Sequence, residues 1–159
     1  MKSAKREYRM TVAGQLFKHL GLQMYSGAVP AISELISNAY DAMAKNVWIT
    51  LPTGRPIQQT DEIIVKDDGH GMSFEECNSH YLSVGRNRRS GESEWTKTYN
   101  GLKPRKVQGR KGIGKLAGFG IAERIDIRTL KDKQVAHFAL DYIALTKSPN
   151  FADEQGYVP

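Results

Sequence analysis

Three short stretches carry residue types and spacings that could do chemistry. In ELISNAYDAM, Glu34, Asn38 and Asp41 fall within about 60° of one another if the segment is a helix turning about 100° per residue. No cation joins that face until Lys45. An acceptor-only row of this kind suits a hard cation, which takes oxygen ligands, and a carboxylate one turn before an amide could direct a water. The same row is also what any amphipathic helix shows to solvent. Solvent faces, however, favour long Lys, Glu and Arg, and mid-helix Asn and Asp are poorer helix formers.

The second stretch is DDGHGM. Asp67 ends a β-branched run, and Gly69 and Gly71 allow positive φ and close approach of a ligand to the backbone. A carboxylate there could accept a hydrogen bond from an exocyclic amine such as that of adenine, or it could be an ordinary Asp-Gly turn. His70 reads as loop filler, and Met72 as pocket floor or plain core. The third stretch is GRKGIGK, made of Gly109, Arg110, Lys111, Gly112, Ile113, Gly114 and Lys115. Glycines at a helix entrance bare backbone N–H groups where the helix dipole favours phosphate, and the cations add to an anion site. The spacing is neither a Walker A loop nor a Rossmann fingerprint.

These stretches need elements to hold them. A helix is predicted over AGQLFKHLG, and a longer one from about Ala28 to Ala44 with Pro30 in its first turn. In the longer helix Ile32, Leu35, Ile36, Ala39 and Met43 make the core stripe. NVWITL and EIIVK read as strands. Ser73 with Glu76 reads as a capping box opening a short helix to about Leu82. Periodicity is then lost from Ser83 to Gln108, a length of patternless chain that is usually functional or mobile. A helix from the third stretch to about Glu123 follows, then a hairpin from RIDIRTL and QVAHFAL. The tail from Thr146 shows no clear element. Segregated helices beside a mostly antiparallel sheet predict an α+β, two-layer α/β sandwich with helices on one face.

The 159 residues suffice for one domain with a core. No apolar run approaches the ~20 residues that span a bilayer. No signal peptide is visible, so a cytoplasmic setting and no membrane partner are expected. Cys77 is the single cysteine, which excludes a disulfide framework or zinc spacing. Net charge is +6, and ten cations between Arg86 and Lys115 stand against only Glu92 and Glu94. A basic block of this kind suits nucleotide phosphates, nucleic acid or a solvated loop.

Together, in this order and spacing, ELISNAYDAM, DDGHGM and GRKGIGK resemble the motifs of the GHKL ATPase superfamily. Its members include type II topoisomerase ATPases, heat-shock chaperones of the ninety-kilodalton class, histidine kinases and mismatch-repair ATPases, and microrchidia-type ATPases are similar in plan. The resemblance covers about Met24 to Thr129 and looks most like the hydrolysing branches. It implies a Bergerat fold with a long ATP lid over about 83–108, within one ATP-binding domain over 1–159 that is the N-terminal part of a longer protein. It also implies ATP as substrate and Mg²⁺ as cofactor. By the same resemblance Glu34 matches the general base, Asn38 the Mg²⁺ ligand and Asp41 a pocket acid organising the adenine side. Asp67 matches the acceptor of the adenine amino proton, with Gly69 and Gly71 shaping its loop and Met72 against the base. Gly109, Gly112 and Gly114 match the second glycine box, so that loop, with Arg110, Lys111, Ile113 and Lys115, is expected to bind nucleotide. Glu34 paired with Asp41 favours a hydrolase over a phosphotransferase. The hydrolysing branches complete their site with a lysine from a following domain, and none of the cations here is equated with it. The implied activity is slow ATP hydrolysis gated by lid closure. Alternatives are a non-hydrolysing, ATP-gated homodimer switch and nucleic-acid binding through the basic 86–115 segment.

Overall fold

The computed structural model describes residues 6–12, 27–84, 93–109, 114–147 and 158–159. The helix predicted over AGQLFKHLG lies outside these residues. The described elements are β1 (Thr11–Val12), α1 (Ala28–Asp41), β2 (Val47–Thr50), β3 (Ile64–Asp67) and α2 (Phe74–Glu76), the last continuing as a π-helical turn, Cys77–Tyr81. Then come β4 (Ser83–Val84), a 3₁₀ helix (Gly114–Gly120), β5 (Arg124–Lys131), β6 (Gln134–Asp141) and α3 (Tyr142–Lys147). The fold is mixed α/β. Among the described residues the strands form small two-stranded sheets: β2–β3 and β5–β6 antiparallel, β1–β4 parallel. No helix among the described residues is long and apolar enough to cross a membrane.

The β5–β6 hairpin organises the core. Its two-residue turn, Asp132-Lys133, holds positive φ at both positions, the geometry that matches strand twist. Alternation then puts Ile125, Ile127 and Thr129 on one face, opposite Leu140, Phe138 and Ala136. Those three β6 residues are buried with Met10, Cys77, Leu82, Val84, Leu116 and Leu145. Each large side chain buried there contributes roughly 1.5–3 kcal/mol. Cys77 is part of this core, and burial pushes its thiol up to about 11, so it stays protonated at neutral pH. The capping box is present: Ser73 N–H donates to Glu76 Oε2 at 2.7 Å and Glu76 N–H to Ser73 Oγ at 3.2 Å.

The face that α1 buries corrects the predicted stripe. Ala31, Ala39 and Met43 are buried, but Ile36 is 40% and Tyr40 38% exposed. Glu34, Asn38 and Asp41 are half-buried instead. The reason is the partner: α1 packs on the 3₁₀ segment, whose Gly114, Ala117 and Gly118 admit a close approach of small residues but leave no space for a row of isoleucines. The helix also ends at Asp41, earlier than Ala44. Its end is a Schellman motif: Ala44 N–H donates to the Ala39 carbonyl and Met43 N–H to the Tyr40 carbonyl, both at 3.0 Å. The left-handed position, usually glycine, is Met43 at φ 63°.

Three further local differences have physical causes. GKLAGFG forms a 3₁₀ helix that stops at Gly120, short of Glu123, because its glycines give the chain little helical preference. DYIALTK forms α3, with the Asp141 carboxylate accepting the Ala144 N–H at 2.8 Å as an N-cap. Within the stretch read as patternless, residues 94–107 form an antiparallel hairpin. Trp95 pairs with Lys106 and Tyr99 with Leu102, around Asn100-Gly101 at φ 50° and 77°.

Candidate active site

The turn that ends α1 gathers the site. From the DDGHGM loop, His70 N–H donates to the Ala42 carbonyl at 2.9 Å. Gly69 lies so close that a Cβ there would stand 2.6 Å from the same oxygen. Asp68, not singled out from sequence, does the stapling. Its Oδ1 accepts the Lys45 and Asn46 N–H groups at 2.7 and 2.9 Å, and its Oδ2 accepts the Asn46 amide at 2.9 Å. The Asn46 backbone N–H, then the Asn46 side chain and the Lys45 N–H, hold its carboxyl below the usual range. The signal in the sequence was the tandem Asp at a strand end facing an Asn-containing turn.

That shift has a direction in pH. The folded value lies below the unfolded one, near ~3.9, so the ionised carboxylate stabilises the fold fully above the unfolded value. The contribution is lost as pH falls through the lower, folded value. Asp68→Asn is therefore expected to melt below the parent at pH 7, with the two curves converging as thermal melts are taken below about pH 4. Parallel curves down to the acid limit would remove Asp68 as the staple.

Asp67 closes β3 opposite Val47. Its Oδ1 accepts the Gly69 N–H at 2.8 Å, and the residue is exposed. Gly71 sits at φ 63°, and a Cβ there would overlap the Leu130 carbonyl oxygen. Met72 N–H donates to Thr129 Oγ1 at 2.9 Å, and the Met72 side chain packs against the main core.

On α1, Asp41 grips the start of the second glycine loop. Its two oxygens accept the Gln108 and Gly109 N–H groups at 2.8 and 2.9 Å. Glu34 reaches the other end of that loop: its carboxylate fills the space that a Cβ on buried Gly114 would take. Glu34, Asn38 and Asp41 thus form one half-buried row against Gly109 and Gly114. Among the described residues, neither the Glu34 carboxylate nor the Asn38 side chain has a hydrogen-bond partner. Arg110, Lys111, Gly112 and Ile113 lie outside the described residues. The Lys115 ammonium is turned to the backbone, donating to the Ser83 carbonyl at 3.0 Å and to that of His80.

The hairpin at 94–107 is latched on the same helix end. Arg105 stacks over the Tyr40 ring at 4.7 Å and donates to the Ala44 carbonyl at 2.9 Å. Thr96 Oγ1 lies 2.8 Å from the Met43 sulfur. At the hairpin tip, Tyr99 meets the His70 ring edge-on at 5.8 Å. The hairpin therefore touches the loop that carries Asp67.

An acidic helix, a strand-end Asp-Gly loop and a helix-entry glycine loop converge here. The sequence pattern of the histidine kinase-, DNA gyrase B- and HSP90-like ATPases matches residues 25–153, which include all of them. The chain belongs to that ATPase family. Over 125 residues it is 34% identical to the protein named "Putative type II restriction enzyme HgiDII" of Herpetosiphon aurantiacus, a match covering 79% of this chain and 18% of that protein. It is 27% identical over 145 residues to the chaperone protein HtpG of Gluconobacter oxydans, covering 82% of this chain and 23% of the chaperone. For HtpG of Sulfurovum sp. the figures are 28% over 155 residues, 87% and 24%. The chain spans about a fifth of the length of these curated relatives. No solved structure matches it significantly. As an HSP90-like ATPase domain, it is built to bind ATP.

Proposed function

We propose that this domain binds ATP with Mg²⁺ and hydrolyses it slowly, within a two-layer Bergerat sandwich whose lid includes the hairpin at 94–107. The observation that carries the reading is the placement of Glu34 and Asp41 at the two ends of the Gly109–Gly114 loop. A loop that holds phosphates through its N–H groups is thereby set beside a carboxylate able to act on a water. Asp67 accepts the exocyclic amine of adenine, and Gly69 lets the base approach the chain. Asp41 fixes the loop's entry by taking two backbone N–H groups, so its work is to shape the phosphate cradle.

Asn38 fits a hard cation, and Glu34 a water beside a phosphate. Both are half-buried, and neither spends its oxygens on another described residue. Bound Mg²⁺ supplies neutralisation of phosphate charge and keeps several of its waters, so one oxygen from Asn38 is a sufficient protein ligand. Among the described residues no group of three His, Cys, Asp or Glu side chains gathers as a metal site. Phosphoryl transfer asks the protein mainly for positioning and electrostatics. Glu34 takes the proton of an attacking water, and the N–H groups of the glycine loop after Gly109 hold the phosphates. Closure of the hairpin, through Tyr99 on His70 and Arg105 on Tyr40, sets the rate.

The test is nucleotide binding. Asp67→Asn exchanges an obligatory acceptor for a group that can also present a donor to the adenine amine. It is expected to lower ATP affinity at least about tenfold in titration calorimetry, the scale of one unmet buried hydrogen bond. Parent-like affinity for ATP would remove Asp67 from the adenine site.

A further inference from the structure

The hairpin at 94–107 has two unlike faces. Thr96 and Arg105, opposite one another, point to α1 and are engaged there. Alternation sends Trp95 and Lys97 to the other side, together with Lys106, the direct cross-strand partner of Trp95, whereas Tyr99 at the tip turns back onto His70. Trp95 is 57% exposed, and Lys97 and Lys106 lie in solvent. Between residues 93 and 109 the only acid is Glu94, against Lys97, Lys103, Arg105 and Lys106. Trp95 and Lys97 therefore share a face that carries no acidic side chain. A largely exposed ring, with one lysine two residues along the hairpin and another directly across from it, is a platform with no ring partner among the described residues.

We propose that this outer face binds single-stranded nucleic acid without sequence preference. A base stacks on Trp95, and the flanking phosphates lie on Lys97 and Lys106. Stacking selects the single strand, because only unpaired bases offer a free face, and every base has one. A duplex would meet the lysines but leave the indole idle. A membrane surface would need a broader apolar face than one strand of a hairpin supplies. The inference rests on the hairpin alone and stands or falls separately from the ATP site.

The full chain carrying Trp48→Phe leaves Trp95 as the single indole reporter, since Trp48 and Trp95 are the two tryptophans. It is titrated with labelled oligothymidylate of about 15 nucleotides, a length within the usual site sizes, at low salt. Quenching of Trp95 emission and a rise in anisotropy are expected. Trp95→Ala should weaken binding about tenfold or more, and Trp95→Phe should restore most of it. Lys97→Gln and Lys106→Gln should each reduce the slope of log affinity against log salt by about 0.7. The proposal is overturned by no binding at low salt, or by Trp95→Ala binding like the parent. It is equally overturned if a duplex of the same length quenches Trp95 as strongly, or if phosphatidylserine vesicles shift Trp95 emission where the oligonucleotide does not. If Trp95→Ala melts below the parent, the quenching of the intact indole decides.

Discussion

Glu34→Ala is expected to abolish measurable ATP turnover while leaving ATP affinity within a few-fold of the parent. The side chain stands on the interior of α1 and contributes no hydrogen bond to another described residue. Alanine is the best helix former, so the fold has nothing to lose by its removal. What is lost, on the proposed function, is the group that takes a proton from water, and general-base catalysis contributes about 10²–10⁴ in rate. Steady-state turnover at saturating ATP reads that loss, and calorimetry reads affinity. Gly114→Ala is expected to lower turnover by another route, because its Cβ would occupy the position of the Glu34 carboxylate and turn it away. If Glu34→Ala hydrolyses ATP at the parent's rate, Glu34 is not the base. If both variants also stop binding ATP, the row on α1 shapes the pocket and does not act on water.

Gly71→Ala is the substitution expected to cost most stability, about 2–5 kcal/mol. Two independent penalties meet there. At φ 63° an L-residue loses about 1–2 kcal/mol. The added methyl also meets the Leu130 carbonyl, a backbone group of the β5–β6 ladder one pair in from its turn end. Gly101 separates the two effects. It has φ 77° but nothing within 4 Å of the place an added methyl would take, so Gly101→Ala should lose only the conformational part. Urea unfolding of both variants tests this, and equal losses would mean that the loop does not press on β5 as described.

Much of the site could be read from the chain. Asp-Gly after a β-branched run, Ser73 three residues before Glu76, and alternating residues on each side of a KDKQ turn are local signals, and each sits where its local chemistry requires. What escaped was set by partners distant in sequence. Of the stripe predicted on α1, Ile32, Leu35, Ile36, Ala39 and Met43, a helix packed on the 3₁₀ segment buries Ala39 and Met43 but leaves Ile36 at the surface. The hairpin was hidden because its Asn100-Gly101 turn is flanked by Lys97, Lys103 and Pro104, which break the apolar alternation that usually marks strands. Asp141 gave a fair capping signal for α3, masked by the strong strand pattern before it. Asp68 was overshadowed by its neighbour Asp67, since sequence alone cannot say which of two adjacent carboxylates turns back to the Asn46 turn.

The last turn of α1 has a consequence for how the domain opens. Helix ends ordinarily fray and exchange their amide hydrogens early. Here the Ala42 carbonyl takes the His70 N–H, the Ala44 carbonyl takes Arg105, and Asp41 takes the N–H groups of Gln108 and Gly109. Met43, buried in a left-handed conformation that costs about 1 kcal/mol or more, meets Thr96. Protection of the amides at 70, 108 and 109 therefore depends on one turn of backbone. They belong to a single cooperative opening unit, in which the loop from Asp67 to Met72, the backbone at Gln108 and Gly109 and the hairpin at 94–107 gain or lose their order together.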